Sequence, residues 1–289
     1  MKPIIFFNHY HNGDLFASKA FIKEIVDNVD VKVYYGHENN PIVLSDINLE
    51  TVSLPQVNYK TKFINADDAF YINTWIGSYF DYGGAEKECC TLKFSYDMFD
   101  KIYEAINQVY STNLKLSSME DYFPSIDFSK FQLKNIDTYI KSDSNKKILF
   151  CNGPSMSGQC LYTGDMKPVI ENLASNYPNI TFIATQTFDT DIKNIKFTND
   201  IIKLNQCDLN EIGYLSTFCN IIVGRNSGPH CFAANKLNVN DPSKVFYAFG
   251  QDPKVSLYYG VDLGCSFVYE VFDSLDVIEK SIEELILEL

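Results

Sequence analysis

The sequence predicts a two-domain α/β fold, and three observations predict it. The chain has 289 residues, of which 46% are hydrophobic, enough for two domains of ordinary size each with its own core. Short apolar runs alternate with stretches of helical spacing from one end to the other. The polar run Lys141-Ser-Asp-Ser-Asn-Lys-Lys147 separates two such series. It places a domain boundary between residues 143 and 144, giving domains of 1–143 and 144–289, with a final helix free to pack back on the first.

The first series opens with the apolar run Pro3 to Phe7, a strand, followed by the polar turn Asn8 to Asp14. Leu15, Phe16, Phe21, Ile22, Ile25 and Val26 then recur at helical spacing, and Val31 to Tyr35 reads as a second strand. This is a βαβ unit, whose first loop lies at the carboxyl end of the first strand, where open α/β sheets bind ligands. Ala69 to Trp75 predicts another strand and Tyr96 to Tyr110 a helix. Residues 78–145 are otherwise hard to assign, and their aromatics, including Trp75, Tyr79, Phe80 and Tyr82 around its start, suit either a core or stacking on sugar rings.

The second series is cleaner. Strands are expected at Ile148–Cys151, Ile180–Ala184, Ile201–Leu204, Asn220–Val223 and Val245–Phe249. Helices are expected from about Met166 to Asn176, from Asp208 (with Glu211 at capping-box spacing) to Phe218, and from near Cys231. Ser274 to Leu289 carries Leu275, Ile278, Ile282, Leu285 and Ile286 on one face of a last helix.

The net charge of −13, with no run of Lys and Arg, argues against nucleic acid as a partner. No segment approaches the roughly 18 to 20 apolar residues of a membrane span, and the opening run is too short for a signal peptide, so a cytoplasmic protein is expected. The eight cysteines lack a C-x-x-C pair and are read as reduced thiols. No metal is expected: Asp189-Thr-Asp191 and His9-x-His11 are short loop motifs more in keeping with solvent or substrate.

Chemistry concentrates in three loops. In Ile221-Ile-Val-Gly-Arg-Asn-Ser-Gly-Pro-His230, a buried strand feeds a small polar loop into a helix start, so that backbone N–H groups and the helix dipole can face an anion. Gly228 allows close approach, Ser227 can cap or donate, Arg225 can pair with a diphosphate, and His230 can donate to phosphate or ribose. The plainer alternative is a tight turn capped by Ser227. Asn152-Gly-Pro-Ser-Met-Ser-Gly158 follows the first strand of the second domain and offers Ser155, Ser157 and Gly158. Residues His9, His11, Asn12, Gly13 and Asp14 form the third loop, with Asp14 either a candidate base or an ordinary first-turn acid.

The segment around Asn226-Ser227-Gly228-Pro229, with Ala233-Ala234 after it, and Gly13-Asp14 at the first helix resemble the heptosyltransferase-like glycosyltransferases of family 9. That resemblance implies a GT-B architecture, two Rossmann-like domains facing a cleft, and metal-independent, inverting transfer of a sugar without a cofactor. It implies a nucleotide-sugar donor held by Ser155, Ser157, Gly158, Arg225, Asn226, Ser227, Gly228 and His230. The acceptor, a glycan or lipid-linked sugar, would lie against His9, His11, Asn12 and Gly13, with Asp14 as base. The chain departs from the family twice, with Asn226 in place of an Asp and His230 one residue early, and no phosphate-binding Lys precedes Lys167. A non-catalytic nucleotide- or glycan-binding protein and a sugar-nucleotide epimerase of the same shape are the alternatives.

Overall fold

A computed structural model describes residues 1–37, 41–82, 91–153, 164–225 and 227–289. The first strand, β1 (Ile4–Asn8), is nearly continuous apolar sequence because both of its faces are covered. It leads into α1 (Asn12–Asn28), which returns to β2 (Val33–His37) lying parallel to β1, with Asn8 opposite His37. β3 (Glu50–Val52) adds to the outer side of β2, β4 (Phe63–Asn65) follows, and β5 (Phe70–Asn73) pairs parallel with β1. The sheet order is β3-β2-β1-β5-β4, parallel except for the antiparallel edge strand β4.

Helix α2 (Leu92–Tyr110) begins at Thr91, whose hydroxyl accepts from the Phe94 amide, and ends at Ser111 in the left-handed region. Its Phe99 stacks on Phe21 of α1 at 4.4 Å, and Tyr122 covers the other face of Phe21 at 4.2 Å. These aromatic pairs join the helices into one core layer.

The second sheet follows α3 (Lys134–Ser142). β6 (Lys146–Cys151), α4 (Lys167–Asn176), β7 (Ile180–Ala184), β8 (Ile195–Phe197), α5 (Thr198–Ile202), α6 (Leu209–Ser216) and β9 (Ile221–Gly224) alternate along the chain. α7 (Gly228–Ala233), α8 (Lys236–Val239), β10 (Val245–Gly250), β11 (Ser266–Val271) and α9 (Leu275–Leu287) complete it. All strands are parallel in the order β11-β10-β9-β6-β7-β8, and the direction of winding reverses between β6 and β9. Such a reversal opens a crevice at the carboxyl ends of the two strands, the usual ligand position in doubly wound sheets. Ile148, Phe150, Phe182, Ile221, Val223 and Phe249 pack on α4 and on Ile278, Ile282 and Ile286 of α9.

The chain divides into one unit of Met1–Ser125 with Lys254–Val261 and another of Ile126–Pro253 with Asp262–Leu289. The boundary therefore falls before α3 and not at residue 143. The run 141–147 is no linker: Asp143 accepts from the Thr181 hydroxyl at 2.8 Å, and buried Lys147 donates to the carbonyls of Asp143 and Asn145 at 2.6 and 2.7 Å. Instead of α9, residues 254–261 return to the first unit, where the Leu92 amide donates to the Leu257 carbonyl at 2.6 Å. The strand expected at 201–204 is the short helix α5, since a two-residue apolar run fits either element and packing decides. Among the described residues, no helix is long and apolar enough to cross a membrane. Cys151, Cys207, Cys219 and Cys265 are free thiols, and all but Cys207 are buried; Cys89, Cys90 and Cys160 lie outside the described residues.

Candidate functional site

In the first unit the strand ends assemble a polar edge. Asn8, fully buried at the end of β1, accepts from the Tyr10 amide at 2.8 Å, an Asx turn that swings the chain toward α1. His11 is the N-cap residue, without a side-chain cap, and Asn12, Gly13 and Asp14 form the first helical turn. The structure thus brings His9, His11, Asn12, Gly13 and Asp14 together at the sheet's carboxyl edge, with His11 exposed and the His9 ring edge-on to Phe7 at 5.6 Å.

Burial pushes the carboxyl of half-buried Asp14 up to about 7, because partial desolvation disfavours its charged form. Lys19, one turn and a half further along α1, is committed elsewhere: its ammonium pairs with Asp46 at 2.7 Å, both side chains 3% exposed. Behind Asp14, the Tyr35 hydroxyl bonds the Thr74 hydroxyl at 2.6 Å. Tyr35 is held in its protonated form by burial first, and the nearby Asp14 charge acts in the same direction. Sequence reasoning missed Tyr35, which strand pairing brings within reach of the Asp14 charge.

In the second unit the ends of β6 and β9 lie side by side, Cys151 opposite Gly224. A Cβ at Gly224 would lie 2.7 Å from His230 Cδ2 and 2.9 Å from Cys151 Cβ, so glycine is what lets α7 fold down against the strand end. Ser227 starts α7 but does not cap it with its side chain, and its buried Oγ has no partner among the described residues. A Cβ at Gly228 would meet only Leu209 Cδ2, at 3.8 Å, leaving this start of the helix open on that side among the described residues.

Arg225 and His230 stand differently from their sequence expectation. The Arg225 guanidinium is 1% exposed and faces protein carbonyls: Nη1 donates to Gly153 at 2.9 Å and Nη2 to Gly164. It grips the described ends of the β6 loop and does not present its fork outward. His230 is packed edge-on to Phe246 and Phe267, and burial lowers its pKa to about 4, so it is a neutral imidazole under the loop. Ser155, Ser157, Gly158 and Asn226 lie outside the described residues. Asp189 and Asp191 are exposed on the loop after β7.

Asp208 and Glu211 lie at the start of α6, as their spacing in the sequence indicates. Burial raises both carboxyls, and the Asp208 charge adds to the effect on Glu211. Their capping-box spacing was visible, but the Asp208 side chain makes no cap.

No family model matches the chain, and neither does any curated protein. Solved structures do. The E. coli heptosyltransferase WaaC with ADP-2-deoxy-2-fluoro heptose superposes with a TM-score of 0.51 at 8% identity, covering 99% of each chain. The iron-containing dodecameric glycosyltransferase TibC from enterotoxigenic E. coli H10407 gives 0.52 at 10% identity, over 94% of this chain and 62% of that one. At such identities the likeness is one of fold. The chain has the fold of the heptosyltransferase-like glycosyltransferases, two Rossmann-like α/β units of the GT-B kind.

Proposed function

We propose that this protein is a glycosyltransferase that moves a sugar from a nucleotide-sugar donor to the hydroxyl of a glycan or lipid-linked acceptor in the cytoplasm, inverting the anomeric centre without a metal. The observation that carries the reading is Asp14, a carboxyl raised to about 7 at the carboxyl edge of the first sheet. A group with its pKa near the working pH is suited to general base catalysis. Asp14 takes the proton of the acceptor hydroxyl as that oxygen bonds to the anomeric carbon, and the bond from that carbon to the diphosphate breaks on the opposite side.

The leaving nucleoside diphosphate carries the growing negative charge, and fixed donors must meet it. The Ser227 hydroxyl, without a partner among the described residues, and the open backbone at Gly228 are suited to supply them, at the reversal between β6 and β9. Arg225 acts on the described ends of the β6 loop, at Gly153 and Gly164, and Ser155, Ser157 and Gly158 are proposed as further donor-binding residues. His230 supports the Gly224 turn from beneath.

A thermal-shift screen against UDP, GDP and ADP and their sugars tests donor binding, with ADP-heptose first because the compared WaaC structure holds ADP-2-deoxy-2-fluoro heptose. A donor at about 100 times its dissociation constant stabilises by about 2.7 kcal/mol. Ser227→Ala lowers that stabilisation, and a variant that binds the donor as the natural chain does removes Ser227 from the site.

A further inference from the structure

Three aromatic rings cluster at the carboxyl edge of the first sheet, beside the turn that carries Asp14. Tyr10 lies 4.4 Å from Trp75 with the rings tilted by 38°, and Tyr59 stands 5.8 Å from Tyr10 and 5.6 Å from Trp75. Tyr10 and Trp75 are half-buried, and Tyr59 is 39% exposed. The side chains belong to three separate segments: the turn after β1, the loop before β4 and the turn after β5. β1 and β5 pair through Phe7 and Asn73, so Tyr10 and Trp75 leave neighbouring strand ends.

The cluster is held from below. Buried Asn73 accepts from the Trp75 amide at 2.9 Å and donates to the Tyr59 carbonyl at 2.6 Å and the Thr61 carbonyl at 3.0 Å. Ser78 adds a donation to the Tyr59 carbonyl at 3.1 Å. A Cβ at Gly77 would come within 2.6 Å of Trp75 Cε2, so glycine there lets the indole lie against the backbone. Lys60 Nζ sits 5.7 Å from the Tyr59 ring centroid. One asparagine thus fixes two of the rings, which is preorganisation for a ligand and not what an exposed apolar group needs for stability.

We propose that Tyr10, Tyr59 and Trp75 form the acceptor subsite, a tilted aromatic cup that takes the C–H face of a saccharide ring and delivers its hydroxyl toward Asp14. The rings meet at tilts of 38°, 57° and 84°, as aromatic neighbours do, and their apolar bodies with polar Tyr and Trp tips suit a ligand that has both C–H faces and hydroxyls. This assignment rests on the reading of Asp14 as the base for an acceptor hydroxyl.

Trp75 is the only tryptophan of the chain, so its emission reports on the cup alone. The full chain is titrated with methyl glucoside, methyl galactoside, methyl mannoside and methyl heptoside, with sorbitol as the acyclic control and adenosine and uridine as planar ones. At least one cyclic saccharide is expected to shift the emission saturably, with affinity falling at least tenfold in Tyr59→Ala and in Gly77→Ala, which displaces the indole without removing it. Circular dichroism of each variant verifies its fold, and Tyr10→Leu serves if either fails to fold. Equal responses to the glycosides and to sorbitol overturn the cup, as does a response to the nucleosides alone. Asp14→Asn is expected to keep the emission shift while losing transfer; full transfer by Asp14→Asn overturns the base and leaves the cup standing.

Discussion

The Arg225 guanidinium donates to the Gly153 carbonyl at 2.9 Å, tying the end of β9 to the end of β6. Through its second nitrogen it also reaches Gly164, so one side chain grips both described ends of the intervening loop. Removing it takes this donor from the buried Gly153 carbonyl, at a cost of about 1 to 3 kcal/mol. Arg225→Ala is expected to lower the unfolding free energy by about that amount and to weaken nucleotide binding. Arg225→Lys recovers little, because a single ammonium does not reproduce the planar fork. Denaturant unfolding and calorimetric titration with the nucleotide measure the two effects.

Asp14 sets the pH dependence. Its folded-state pKa, about 7, lies above its ordinary value of 3.8, so the folded protein favours the protonated form. The stability from this preference is complete below about pH 4 and is lost as pH rises to 7 and beyond. Asp14→Asn is therefore expected to raise the melting temperature at pH 8 and leave it unchanged at pH 4. Transfer needs the ionised base, so kcat/KM is expected to rise with pH through about 7, a limb measured directly by a pH-rate profile.

Two glycines of one loop are expected to respond in opposite ways. Gly224→Ala puts a methyl group 2.7 to 2.9 Å from His230 and Cys151, and overpacking of this kind costs about 1 to 3 kcal/mol. Gly228→Ala meets only Leu209 at 3.8 Å, so its stability stays close to that of the natural chain while nucleotide affinity falls. Melting curves with and without nucleotide separate the two outcomes.

The Lys19–Asp46 pair, at 2.7 Å and almost fully buried, anchors α1 to the segment after β2. Deleting one partner strands the other charge, at a cost of about 3 to 5 kcal/mol. Asp46→Ala is expected to lose that much in equilibrium unfolding, whereas replacing both residues by leucine and alanine recovers part of it.

The strands and helices with long apolar patterns were legible in the sequence. β7 spans Ile180–Ala184 as expected, and the four-residue spacing of Ile278, Ile282 and Ile286 marked the buried face of α9. β3, β4 and β8 were not, because each is a three-residue edge strand with at most one buried side chain. The turn from His9 to Asp14 was readable as a strand-end loop, but the rise of the Asp14 pKa comes from what folds around it. Arg225 reads as a loop cation, and nothing local in the sequence reveals that it is buried against carbonyls from residues 153 and 164. His230 illustrates register: one position on a helix turns a side chain by about 100°, enough to move it from the ligand side to the sheet. Tyr59 carried no periodic signal, since it lies in a polar loop that Asn73 ties to the Trp75 turn.

The central claim is that Asp14 is the base of a sugar transfer from a nucleotide donor. Single-turnover transfer by the natural chain and by Asp14→Asn, with a donor identified by thermal shift and both proteins saturated with it, tests the claim most directly. The account predicts equal donor affinity and a transfer rate lower by about 10²- to 10⁴-fold in Asp14→Asn. Equal rates in the two proteins would contradict it.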